Sequence, residues 1–206
     1  ALSGGGVPFS GAEELIALLD EANVEKAVIN SLALIATGAP DDAAVRAEND
    51  FVAAEVAKFP DRLIGFSGIN PLYAGALEEL DRCLNLDGMV GIKLVVNAKA
   101  PDFEIPDLAN PDHVVILSAV FDKAQEHNAP VQLHSQTAMD PPVDPTALAN
   151  LAGIIADLAD VRVNHSHCAG VIDEHTSQLW LRTMRPNLDS AFLDLSLCLW
   201  AFEDAP

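Results

Sequence analysis

The chain has 206 residues, half of them hydrophobic, which is enough for one core, and a single domain over 1–206 is expected. Its 31 acidic residues against 11 basic ones give a net charge of −20, so nucleic acid and anionic membrane surfaces are excluded as partners by repulsion. No apolar stretch reaches the length of a membrane-spanning helix, and "ALSGGGVPFSG" lacks the basic start and apolar centre of a signal peptide. A cytoplasmic protein is the expectation, with a periplasmic or secreted one left open.

In chain order, Ser10-Gly11-Ala12-Glu13 reads as a capping box, and "AEELIALLDEA" follows with helical spacing of its leucines and isoleucine. "KAVINSLALI" (26–35) is a buried-strand pattern, and "VRAENDFVAAEVAKF" (45–59) is helical up to the stop at Pro60. "RLIGFSGIN" (62–70) is a strand, "AGALEELDRCLN" a helix and "GMVGIKLVV" (88–96) a strand. The proline-containing "NAKAPDFEIPDLANP" is longer than a bare connection and points to a functional loop. Helix, strand, helix and strand then follow as "DHVVILSAVFDKAQEHN", "PVQLHS" (130–135), "DPTALANLAGIIADLAD" with Asp144 as N-cap, and "VRVNHSH". "DEHTSQLWLRTM" is a helix and "AFLDLSLCL" (191–199) a strand.

This is strict α/β alternation, with several strands apolar enough to be parallel and covered. An open doubly wound sheet and a (β/α) barrel both fit it. No glycine-rich turn of the nucleotide-binding type follows any strand. Cys83, Cys168 and Cys198 are odd in number and far apart, which reads as free thiols rather than a disulfide framework or a thiolate zinc site.

Six histidines are present. His113, His127 and His175 lie in or at helices, where surface or capping roles are usual. His134 ends one strand, and His165 and His167 end the next. In parallel α/β proteins, sites gather at the C-terminal ends of strands. Within each strand, His134 shares a face with Gln132, and His165 and His167 share one with Val161 and Val163. Two readings stay open: histidines packed and hydrogen-bonded in a core, or part of a metal site that takes its remaining ligands from elsewhere.

"FPDRLIGFSGINP", followed by a helix and "GMVGIKL", resembles the third and fourth barrel strands of the amidohydrolase-related (amidohydrolase 2) family. "PVQLHSQ" is similar to that family's fifth strand, "VNHSHCAG" to its sixth and "AFLDLS" to its seventh, so the resemblance covers nearly the whole chain. It implies a TIM-type (β/α) barrel and an enzyme with a divalent metal, most often zinc, acting on a small-molecule substrate, with a homodimer as the expected assembly. It carries a metal-ligand role onto His134, and onto His167 the role of ligand or holder of metal-bound water. Asp194 is expected to orient a neighbouring histidine. Lys93, Asn97, Gln136 and His165 are the further pocket candidates, with His165 also readable as a packed bystander and Lys93 as half of a structural ion pair.

The pattern departs from the family in places. Only six strands are read, without the strand-one His-x-His or the strand-eight aspartate, so an incomplete barrel is expected. Val95 and Val96 stand where the family often has a histidine. The implied activity is hydrolysis of an amide, lactone or related bond by a metal-activated water. Decarboxylation of a small carboxylic acid is the alternative, disfavoured by the scarcity of basic residues at strand ends. A non-catalytic barrel remnant serving as a binding protein is the third reading.

Overall fold

The computed structural model describes residues 11–33, 42–97, 104–135, 144–158, 160–166, 174–184 and 191–193. Six parallel strands are β1 (Ala27–Asn30), β2 (Leu63–Gly68), β3 (Met89–Val96), β4 (Val131–Ser135), β5 (Val163–His165) and β6 (Ala191–Leu193). Among the described residues they alternate with the helices α1 (Ala12–Glu21), α2 (Asp42–Lys58), α3 (Ala76–Leu84), α4 (Pro111–Glu126), α5 (Pro145–Ala156) and α6 (Glu174–Met184). The sheet order is β1-β2-β3-β4-β5-β6, each strand beside the next in sequence. A doubly wound sheet reverses its order at a switch point. The described strands have no such reversal, so the barrel reading holds and the chain is an incomplete (β/α) barrel.

The two faces of the sheet differ in kind. Ile92, Leu94, Val96, Val131, Leu133 and Val163 point to the helices and pack with Leu117, Phe121, Leu148 and Leu151 in one apolar cluster. Leu63 and Met89 continue that face under α1 and α2, against Ala12, Val52 and Val56. Burying such side chains contributes about 1.5–3 kcal/mol each. The register places Lys93 beside Gln132 and Gln132 beside Asn164, on the opposite, inner face.

Between β2 and β3 the register steps from Gly65↔Met89 to Phe66↔Gly91. Val90 is the extra residue of this bulge. Past it, the Phe66 ring covers Gly91 so closely that a Cβ there would meet ring carbons at 2.5–2.7 Å.

Three devices hold the upper ends of β1–β3. The buried Asn49 side chain of α2 accepts from Gly68 N (3.0 Å), donates to Gly68 O (3.1 Å) and also donates to Glu79 (3.0 Å), extending the ladder where β1 has ended. Asn70 Nδ2 donates to Glu104 O at 2.7 Å. Asn97, in the left-handed region at φ 56°, accepts from Leu108 N and donates its backbone N–H to Pro106 O. The described part of the long loop is thus fastened down, with Leu108 buried.

Two local expectations are corrected. The first helix has Gly11 as N-cap with no side-chain cap; Glu55, 43 residues away, accepts from Ala12 N instead. A tertiary carboxylate replaces the local box. Of the strand expected over 26–35, β1 ends at Asn30: the Ser31 N–H closes the last ladder bond to Phe66 O, and beyond it the Asn49 side chain, not β1, takes the Gly68 N–H and C=O; residues 34–35 lie outside the described residues. Asp144 caps α5 as read, accepting from Thr146 N and Ala147 N.

Candidate functional site

The inner face carries the site candidates at its upper end. Lys93 sits in the middle of β3, its ammonium donating to Ser166 Oγ at 3.2 Å, two strands away. Register explains the reach. Lys93 is level with Gln132 and Asn164, and the next inner rung upward holds Val95 and His134, with Ser166 following on β5. The lysine stem climbs one rung, so its charge arrives level with His134. Lys93, Gln132, His134 and Asn164 are all half-buried, lining a trough rather than a sealed core.

The two described strand-end histidines have opposite fates. His134, paired with Val95, belongs to the inner face. His165, paired with Leu133, belongs to the helix face, where it is 1% exposed and meets Trp180 of α6 edge-on at 5.4 Å between ring centroids. Among the described residues, neither ring nitrogen has a hydrogen-bond partner, nor has Trp180 Nε1. Burial without a partner disfavours the charged imidazole and lowers its pKa to about 4. His165 is therefore a packed residue and not a pocket group.

Asn97, expected at the pocket rim, spends its side chain on Asp107 and Leu108 and serves the loop. His167, Asp194 and Gln136 lie outside the described residues. His113 and His127 are tied to helix ends, His113 Nδ1 accepting from Asp107 N and His127 Nε2 lying 3.0 Å from Asp81. Cys83 is buried and free, its thiol pushed up to about 12 mainly by burial, so it is no nucleophile. Sequence reasoning passed over Gln132 as a site residue and missed Asn164 and Ser166 altogether. Their signal was the alternation Val163–Asn164–His165–Ser166, polar residues out of phase with the valines.

For a divalent ion, the described residues go part of the way. No three His, Cys, Asp or Glu side chains among them come together as a ligand set. His134 is a suitable imidazole at the right end of the sheet, paired with Val95 on the rung above Lys93. No helix among the described residues is long and apolar enough to cross a membrane.

The amidohydrolase family model matches residues 14–206, and the chain belongs to the amidohydrolase family. Among solved structures, a 4-oxalomesaconate hydratase from Rhodopseudomonas palustris is similar with a TM-score of 0.63 and 17% identity. The match covers 94% of this chain and 63% of the hydratase, so the chain spans less than two thirds of that relative. A 2,6-dihydroxybenzoate decarboxylase, solved with 2,6-dihydroxybenzoate, is similar with a TM-score of 0.58 and 16% identity over 94% of this chain and 78% of the relative. A 5-carboxyvanillate decarboxylase from Novosphingobium aromaticivorans, complexed with manganese and 4-hydroxy-3-methoxy-5-nitrobenzoic acid, gives 0.54 and 15% over 89% and 69%. At these identities the likeness shows the fold alone. No curated protein sequence matches the chain.

Proposed function

We propose that this amidohydrolase-family chain carries the substrate-binding part of an enzyme for a small carboxylate-bearing molecule, with decarboxylation favoured over hydrolysis. The observation that carries this reading is the Lys93 ammonium, held at 3.2 Å from Ser166 Oγ on the half-buried inner face and level with His134. A charge-assisted hydrogen bond from a lysine on this face to a substrate anion would be stronger than a neutral one. The scarcity of basic residues at strand ends had favoured hydrolysis. A lysine that begins mid-strand and delivers its charge one rung higher removes that objection. The solved relatives point the same way, since those named act on or bind acids.

In this reading Lys93 takes the carboxylate and Ser166 keeps the ammonium in place. Gln132 and Asn164, on the rung below, offer amide groups to the rest of the molecule. His134 and His167 would hold a divalent ion, manganese or zinc, and Asp194 would orient one of those imidazoles. Such an ion supplies Lewis acidity and brings the pKa of a bound water to about 7. Hydrolysis of a small amide or lactone is the second reading, favoured if the anion site proves empty of use.

The test is a binding titration of matched pairs, small aromatic acids against their neutral amides, on the intact chain and on Lys93→Met. Acids that bind at least tenfold tighter than amides, with the preference abolished in Lys93→Met, support the proposal (about 1.4 kcal/mol). Equal binding of acid and amide by the parent overturns it. Elemental analysis of the parent and of a His134→Ala, His167→Ala double variant tests the metal separately: a divalent ion present in the first is expected to be lost in the second.

A further inference from the structure

Residues 104–110, the described part of the long loop, run beside the trough across the tops of β2 and β3. Three of their anchors are side-chain amides. Asn70 Nδ2 donates to Glu104 O, Asn97 Oδ1 accepts from Leu108 N, and Asn150 Nδ2 donates to Leu108 O at 2.7 Å. Amides do not titrate, and carboxylates ordinarily do so well below neutral pH. The fourth anchor is different in kind. His113, in the first turn of α4, accepts from Asp107 N through its Nδ1 at 3.0 Å. Its side chain is 12% exposed, and its Nε2 stands 3.5 Å from Glu104 Oε1.

A ring nitrogen accepts a hydrogen bond only when it carries no proton, so the neutral ring with its proton on Nε2 holds Asp107. A protonated ring has donors on both nitrogens and meets the Asp107 N–H with a second N–H. We propose that His113 is a pH-sensitive latch on residues 104–108: neutral, it fastens Asp107 to α4; protonated, it lets Asp107 go and loosens this rim of the trough. The bearing of that rim on ligand entry rests on the trough being the substrate site, whereas the latch itself does not. The charged groups around the ring are acidic. The loop brings Glu104 to Nε2, and Asp107, whose carboxylate accepts from Asn97 Nδ2 and Ala109 N. α4 adds Asp112 next to it in sequence, while its Lys123 pairs with Asp81 and Glu126 towards the other end of the helix. Of the helices packed on α4, α5 has no charged residue over Pro145–Ala156. In α3, Glu79 and Arg82 pair with each other, Glu78 lines a concavity shared with α2, and Asp81 serves Lys123 and His127. Each charge state of the ring therefore has its own support. Glu104 favours the cation, and the accepted N–H and the N-terminal dipole of α4 favour the neutral form.

The experiment is amide hydrogen exchange by NMR on the full chain without ligand, at about pH 8 and about pH 5, the range over which histidines change charge. Each rate is taken relative to that of an unstructured peptide at the same pH. The Ala129 N–H, bonded to Ala124 O beyond the far end of α4, is the reference. Protection at Asp107 is expected to fall several-fold at the lower pH, while Ala129 keeps its own. In His113→Asn, whose side-chain oxygen accepts in the place of Nδ1 and does not titrate, protection at Asp107 is expected to stay constant. The ring nitrogen shifts of the parent give a second reading that needs no variant: at the higher pH, Nδ1 is bare and Nε2 carries the proton. A proton on Nδ1 at that pH overturns the proposal. So does unchanged protection at Asp107 in the parent, an equal fall in His113→Asn, or a fall at Ala129 as large as that at Asp107. With no ligand in the sample, a failure of the carboxylate reading of the trough leaves these results as they are.

Discussion

The two faces of β4 and β5 are built from alternate residues of the same two strands, yet they live under different rules. Leu133, Val163 and His165 are closed off under helices, while Gln132, His134 and Asn164 stay half-open on the trough. A histidine on each face makes the contrast sharp. His165 is held neutral by burial and touches an indole; His134 stands level with a lysine charge. Residue type does not decide the role of a strand-end histidine here. The face does, and the face is set by which neighbour it pairs with.

The largest expected difference between the faces is in stability. Leu133→Ala removes a fully buried side chain and is expected to cost about 3–4 kcal/mol, whereas His134→Ala next to it costs less than about 1 kcal/mol. Urea unfolding of the two variants would measure this. A comparable loss in both would mean that the inner face is as well packed as the outer one.

The second effect is in pH dependence. The folded pKa of His165, about 4, lies below the value near 6.5 of an exposed histidine. Above pH ~6.5 the ring is neutral in both states and adds no slope. As pH falls from ~6.5 to ~4, the unfolded chain gains a proton that the folded chain refuses, and stability drops by about 3 kcal/mol. Below that, no further loss comes from this ring. His165→Phe should flatten this window while leaving carboxylate titration at lower pH in place. Denaturation midpoints between pH 4 and 7 that change equally in parent and variant would break the assignment.

A smaller effect probes where the inner face is itself closed. Gly91→Ala places a methyl against the Phe66 ring and should cost about 1–3 kcal/mol, with partial recovery in a Phe66→Leu background. Thermal unfolding of the single and double variants checks it. The smallest effect is expected for Gln132→Ala, within about 0.5–1 kcal/mol in stability, because its neighbourhood is half-open. In binding titrations it should nonetheless weaken the acid ligands that Lys93 recognises.

Much of the fold was legible in the sequence. Alternating apolar runs and turn residues placed all six strands near their observed starts, because period and punctuation are local signals. The site was legible only in part. The face of His165 was legible from its phase with Val161 and Val163, the apolar side, which is why a packed bystander stood among its readings. The Lys93–Ser166 bond could not be read, since 73 residues separate its ends and only the register of three strands brings them together. The Glu55 cap on α1 escaped for the same reason: its 43-residue separation hid it behind a plausible local box.

The sequential order of the sheet also bears on how the molecule is made. Each strand pairs with one that left the ribosome roughly thirty residues earlier, so every ladder closes soon after its second strand is synthesised. The growing chain can lay down its sheet one rib at a time, always against a surface already in place. The trough would then acquire its parts in that order as well, the lysine first, the histidine next and the serine that fixes the lysine last.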